Sequence, residues 1–219
     1  MKLIESSLIH SIIPPRRETQ TTSPTVILLH GRGADEHDLL GLSEYLDDRV
    51  LIVSVRAPFR FQFGGGFTWY DLQEVGSPDP TMFMESFSRL EQFQCDVISS
   101  YPVDPKKIFL LGFSMGTVMS YSLALTKPEA IAGVIANSGY LPENVSLEFK
   151  WNELSKTDFF VAHGVHDPVI PIQFGRRANE LLTAASAKVH YHEYPMAHEI
   201  SNESLTDMTD WLKQRIDDV

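Results

Sequence analysis

Apolar residues recur along this chain in two alternating rhythms. Short runs rich in β-branched residues predict buried strands: "TVILLH" (25–30), "VLIVSV" (50–55), "KIFLLGF" (107–113), "IAGVIANSG" (131–139) and "DFFVAHG" (158–164). "KVHYHEY" (188–194) alternates like a further strand. Between the runs, helical spacing takes over. A helix is expected over 35–48, with acidic residues in its first turn. Residues 81 to about 100 carry Phe83, Phe87, Leu90 and Val97 on one stripe, which core packing explains. A third helix follows Ser114 and ends near Lys127-Pro128. Residues 172–187 place Phe174, Ala178, Leu181 and Ala185 on one face, and 201–217 do the same with Leu205, Met208, Leu212 and Ile216. The polar "PPRRETQTTSP" joins a peripheral N-terminal strand or hairpin, within residues 1–24, to the main body.

Strands alternating with helices imply one α/β domain over residues 1–219, with a mostly parallel sheet covered by helices on both faces. Residues 140–157 make only a short excursion, so no large lid domain is expected. In such sheets ligands bind beyond the carboxyl ends of the strands. The residues just after each strand therefore carry the functional question.

Composition narrows the classes. The chain has 219 residues, 43% hydrophobic and 21% charged, which is ordinary for a globular protein. A formal net charge of -11 argues against nucleic acid as a partner. The single cysteine, Cys95, falls inside a predicted helix and reads as a packed thiol. One cysteine forms no internal disulfide, which suits a reducing, cytoplasmic setting. Glu5 and Ser6 interrupt any signal-peptide core, and no apolar run is long enough to span a membrane. Exposed apolar surface is compatible with a homodimer.

Serine, aspartate and histidine each fall just beyond a different predicted strand. Ser114 sits in "GFSMG", Asp167 in "HGVHDPVIP", and His198 in "MAHEIS". A hydroxyl needs a base to become a nucleophile, an imidazole titrates near neutrality, and a buried carboxylate orients that imidazole. Glycines at 112 and 116 permit a strained strand-to-helix elbow. G-x-S-x-G alone arises by chance in roughly 7% of chains this long. Its position between strand and helix, with Asp and His following in order, carries the argument. Asp158 precedes its strand and so belongs at the wrong end of the sheet, whereas Glu193 competes with Asp167 from the last strand. His163, His166, His190 and His192 match no standard zinc spacing, and Gly64-Gly65-Gly66 lacks the G-K-[ST] of a phosphate loop. No metal or cofactor is expected.

Taken in order, "LLHGRGADEHD", "GFSMGT", "NSGYLP", "HGVHDPVIP" and "MAHEIS" resemble the motifs of the phospholipase/carboxylesterase branch of the α/β-hydrolases, which includes acyl-protein thioesterases. The resemblance runs from about residue 25 to about 212. It implies an α/β-hydrolase fold with Ser114, Asp167 and His198 as a catalytic triad. It implies the backbone N–H groups of Arg32 and Met115 as an oxyanion hole. It also implies substrate-binding roles for Trp69, Tyr70 and His30. Two departures stand out: Ala197 precedes the histidine where the family usually has glycine, and "RFQFGGG" is long and aromatic. The expected activity is hydrolysis of small to medium acyl esters through an acyl-enzyme. The alternatives are an acyl-thioesterase or lysophospholipase with the same machinery and, remotely, a non-catalytic binding protein on the same fold. A dienelactone-hydrolase-like enzyme would normally place cysteine where Ser114 stands.

Overall fold

The computed structural model describes residues 1–17 and 21–218. Residues 18–20 of the polar linker lie outside the described residues. The main sheet contains β1 (His10–Ile13), β2 (Ser23–Leu29), β3 (Leu51–Val55), β4 (Val103–Phe113), β5 (Gly133–Asn137), β6 (Asp158–Gly164) and β7 (Lys188–Tyr194). Their order across the sheet is β1-β3-β2-β4-β5-β6-β7. β1 runs antiparallel to β3 at the edge, with His10 opposite Val55. The other neighbours are parallel. Every residue of β3, β5 and β6 is buried, which is why these strands read as largely apolar runs.

The helices are α1 (Pro80–Ser100), α2 (Met115–Thr126), α3 (Ile172–Ala184) and α4 (Asn202–Asp218). Alternation along each strand feeds two cores. Ile27, Leu29 and Leu110 face α1, α2 and α3, whereas Val26, Leu28 and Leu111 face Met208, Trp211 and Leu212 of α4. Residues Met115 through Leu125 of α2 are all buried. The hydroxyls of Ser120 and Ser122 satisfy themselves on the Gly116 and Val118 carbonyls. No helix among the described residues is long and apolar enough to cross a membrane.

Three local expectations are corrected. The helix expected over 35–48 is a short 3-10 helix, Asp38–Glu44. Gly41 interrupts it, and only Leu39 and Leu46, seven residues apart, are buried anchors. The helix expected to reach 187 stops at Ala184. Ser186 adopts a positive φ of 60°, and the N–H groups of Ser186 and Ala187 donate to Thr183 and Leu182. That is a Schellman stop with serine in glycine's usual place. Cys95 is exposed, not packed, because the buried stripe of α1 passes through Phe93, Gln94 and Val97 and leaves position 95 on the outer face.

The long segment between β3 and α1 folds into two small ribbons, Phe59–Arg60 with Phe67–Thr68 and Leu72–Glu74 with Ser77–Pro78. The excursion after β5 holds only a 3-10 turn, Trp151–Lys156, and no large extra domain.

Leu28 is fully buried in the α4-side core. Leu28→Ala should lower unfolding stability by about 2–5 kcal/mol in urea titrations. A loss under about 1 kcal/mol would contradict this packing.

Candidate active site

β4 ends at Phe113, and the chain turns at once into α2. Ser114 occupies the turn with φ 55° and ψ -117°, a conformation that L-residues rarely adopt. The Ser114 amide donates to the Asn137 carbonyl at 3.0 Å, and its carbonyl accepts from the Thr117 amide at 3.0 Å. A side chain at Gly112 would strike the Thr117 amide, and one at Gly116 would strike the Leu29 carbonyl. The turn therefore exists only with glycine at both positions.

Asp167 and His198 arrive from the two strands at the far side of the sheet. Their loops are laced together. Val165 donates to the Tyr194 carbonyl at 2.9 Å and His166 to that of Met196 at 3.2 Å. A Cβ at Gly164 would collide with the Met196 and Ala197 carbonyls. His198 Nδ1 lies 2.7 Å from Asp167 Oδ2. The other carboxylate oxygen accepts from the Val169 and Ile170 amides at 2.8 and 2.9 Å. The Asp167 side chain is fully buried, whereas that of His198 keeps 16% exposure. Ala197 is exposed and has no positive φ, so its methyl group disturbs nothing where the family pattern has glycine.

Behind Asp167 stands His163, also buried. Its Nε2 lies 2.7 Å from the Ile170 carbonyl and 3.6 Å from Asp167 Oδ2. It thus closes the far end of the Asp167–Ile170 turn. Burial pushes its pKa down, against a backbone hydrogen bond to Ile170 and the charge of Asp167. The neutral ring donates from Nε2.

Ser114 and His198 line one cavity of about 450 Å³, together with Gly31, Arg32 and Met115. Among the described residues, neither the Arg32 nor the Met115 amide donates to a protein acceptor. Met115 opens α2, so its N–H belongs to the unpaired first turn and lies at the positive end of the helix dipole.

The three remaining sequence-predicted site residues stand elsewhere. Trp69, Tyr70 and His30 are at most 1% exposed and do not line this cavity. Trp69 Nε1 donates to the His30 carbonyl at 2.9 Å. His30 Nδ1 lies 2.6 Å from the Gly31 carbonyl, and Nε2 accepts from the Ala57 amide at 3.0 Å. Burial lowers the His30 pKa, so the ring is neutral. Tyr70 sits one layer back, its hydroxyl 2.9 Å from that of Tyr140, which does face the cavity. These residues brace the wall.

The apolar lining is instead Leu72, Val75, Phe113, Tyr140, Val169 and Ile170. Sequence reading missed these six. The available signal was position: Val169 and Ile170 directly follow Asp167-Pro168, and Tyr140 follows the end of β5.

The competing acids are occupied elsewhere. Asp158, at the start of β6, pairs with Arg215 at 2.7 Å. Glu193 is clamped by Arg176 at 2.8 and 2.9 Å. His192 stacks on Phe160 and Tyr194, and His190 packs against Trp211.

The family described as Phospholipase/Carboxylesterase matches residues 9–216. Acyl-protein thioesterase 1 of Candida albicans is 29% identical over 213 residues, covering 88% of this chain and 92% of that protein. The Debaryomyces hansenii protein of the same name is 29% identical over 223 residues, covering 92% and 96%. Among solved structures, the Bacillus cereus carboxylesterase superposes with a TM-score of 0.83 at 23% identity, covering 95% of this chain and 94% of its own. The Mesorhizobium loti carboxylesterase gives 0.84 at 18% identity, covering 96% and 97%. These structures share the α/β-hydrolase fold with this chain.

The buried histidines make stability depend on pH. His10, His30 and His163 all have native pKa values below their unfolded value of about 6.5. The native state then binds fewer protons than the unfolded chain as the pH falls through that value. Their contribution is present in full above about 6.5 and is lost progressively below it. The urea midpoint should drop between pH 7.5 and pH 5.5. A midpoint unchanged over that interval would show that these rings are not held neutral.

Proposed function

The chain belongs to the phospholipase/carboxylesterase family of α/β-hydrolases, and from that premise we propose that it cleaves carboxylic esters of small to medium acyl chains through an acyl-enzyme on Ser114. Esterase or thioesterase chemistry is common to the relatives it matches. The observation that carries the proposal is the cavity shared by Ser114 and His198, with the Asp167 carboxylate 2.7 Å behind the imidazole.

In this mechanism the Ser114 hydroxyl attacks the ester carbonyl while His198 Nε2 takes its proton. Asp167 holds the Nδ1–H tautomer and stabilises the imidazolium that forms. The carbonyl oxygen becomes an oxyanion between the Arg32 and Met115 amides. Collapse expels the alcohol, which receives the proton from His198. Water, activated by His198 in turn, then releases the acid and restores Ser114. The wall of Leu72, Val75 and Val169 suits an apolar chain of modest length, and the volume lies within the usual range for small-molecule sites.

A thioester substrate uses the same steps, with thiolate as leaving group. The names of the fungal relatives favour that second reading. Parallel kcat/KM values on matched oxygen esters, thioesters and lysophospholipids separate the readings. Ser114→Ala should lower turnover by about a million-fold. A fluorophosphonate should label the folded wild-type protein on Ser114 alone. Near-normal turnover by the alanine variant, or no adduct, overturns the proposal in favour of a ligand-binding role.

A further inference from the structure

The Arg32 side chain has no assigned task. Its backbone belongs to the turn beside Ser114, but the side chain is exposed and lines the same cavity. Its guanidinium lies 4.7 Å from the centre of the Phe61 ring. Phe61 is itself held: its amide donates to the Gly66 carbonyl at 3.0 Å, and its ring packs over Gly33. Stacking occupies one face of a guanidinium and leaves its N–H donors, which point outward in the plane, available.

Arg32 makes no hydrogen bond or ion pair among the described residues. Arg60, which also stacks on a phenylalanine of this loop, is the only other arginine of which that is true. Shortage of carboxylates does not explain it, because the chain holds 29 acidic residues against 18 Lys and Arg. Asp38 lines the same cavity, yet among the described residues no carboxylate oxygen lies within 4.0 Å of the Arg32 nitrogens. Arg32 is thus a fixed cation with unused donors, on the wall of the cavity that holds Ser114. Planar, paired donors match a carboxylate or phosphate.

We propose that Arg32 is a specificity-determining residue and that the preferred substrates are esters carrying a second, anionic group, a carboxylate or a phosphate. This rests on the ester-hydrolase reading above. The charged group of such a substrate sits in the plane of the Arg32 guanidinium while its ester carbonyl lies at Ser114. The apolar wall takes the carbon chain between them.

The test compares kcat/KM for matched esters at low salt. One set of acyl chains ends in a carboxylate, in its methyl ester, or in a trimethylammonium group. A second set bears a phosphate on the alcohol side, free or dimethylated. Wild-type protein should favour an anionic member over its neutral partner by about tenfold or more. The set with the larger ratio identifies which anion is read. Arg32→Gln should bring that ratio close to one, Arg32→Lys should retain part of it, and added salt should shrink it in the wild type. Each ratio is taken within one variant, so a disturbed turn, which slows both esters, cancels. A ratio unchanged by Arg32→Gln, or a preference for the trimethylammonium ester, overturns this inference and leaves the hydrolase reading standing. Failure of the wild type to cleave any ester in either set overturns the oxygen-ester reading, and this one with it.

Discussion

The close approach of α2 to the end of β2 is the constraint on which the site depends. It is possible only because no side chain stands at Gly116, where a Cβ would occupy the position of the Leu29 carbonyl. That approach sets the first turn of α2 beside the turn that follows β2. One consequence is that Met115 and Arg32 line the same cavity. Another is that Ser114 has no relaxed conformation available: β4 and α2 are each packed in place, and the turn between them takes a positive φ. The burial of residues 115–125 on the sheet supplies the force that holds that strain.

The turn after β2 needs its own support, since His30 to Ala34 lie outside any regular element. Support comes from the segment that follows β3. Trp69 binds the His30 carbonyl, Ala57 binds the His30 ring, and the Gly33 and Phe67 amides pair with the carbonyls of Phe67 and Ala34. Gly66 must be glycine here, because its φ is positive and a Cβ would strike the Gly33 carbonyl. The aromatic loop is therefore a brace. Its buried rings fix backbone, and its exposed side turns Phe61 toward Arg32. A preplaced amide stabilises a developing charge without reorganising at the moment of reaction, which is what such bracing gives.

The sequence was most legible where one physical rule dominates. β3, β5 and β6 are buried on both faces, so hydrophobic runs alone locate them. That Ser114, Asp167 and His198 would be brought together was legible because each follows a strand, and parallel strands deliver their ends to one edge. Local rules failed where two weak preferences competed. The acidic residues at 35–38 suggested a helix start, but Gly41 and the wide spacing of Leu39 and Leu46 left too little to hold one. Trp69 and Tyr70 illustrate a deeper limit. Aromatic type and a loop position do not reveal whether a ring faces the ligand or the layer behind it. Only tertiary packing shows that Tyr140 faces the cavity and Tyr70 its back.

The same packing separates the roles of backbone and side chain at residue 32. The amide is directed by the braced turn and is insensitive to residue type. The side chain is directed by Phe61, whose ring packs on Gly33 of the same turn. A substrate that met only the amides and the apolar wall would be held by shape and one carbonyl. Hydrophobic contact discriminates weakly between chains of similar length, by a factor of about 10–200 per methylene at most. A fixed guanidinium adds a directional requirement that an apolar chain cannot satisfy. In a chain of net charge -11 that requirement acts at short range, where the guanidinium outweighs the overall negative charge. On the proposed reading the cavity selects by contact with Arg32, and long-range steering contributes little to how the substrate arrives.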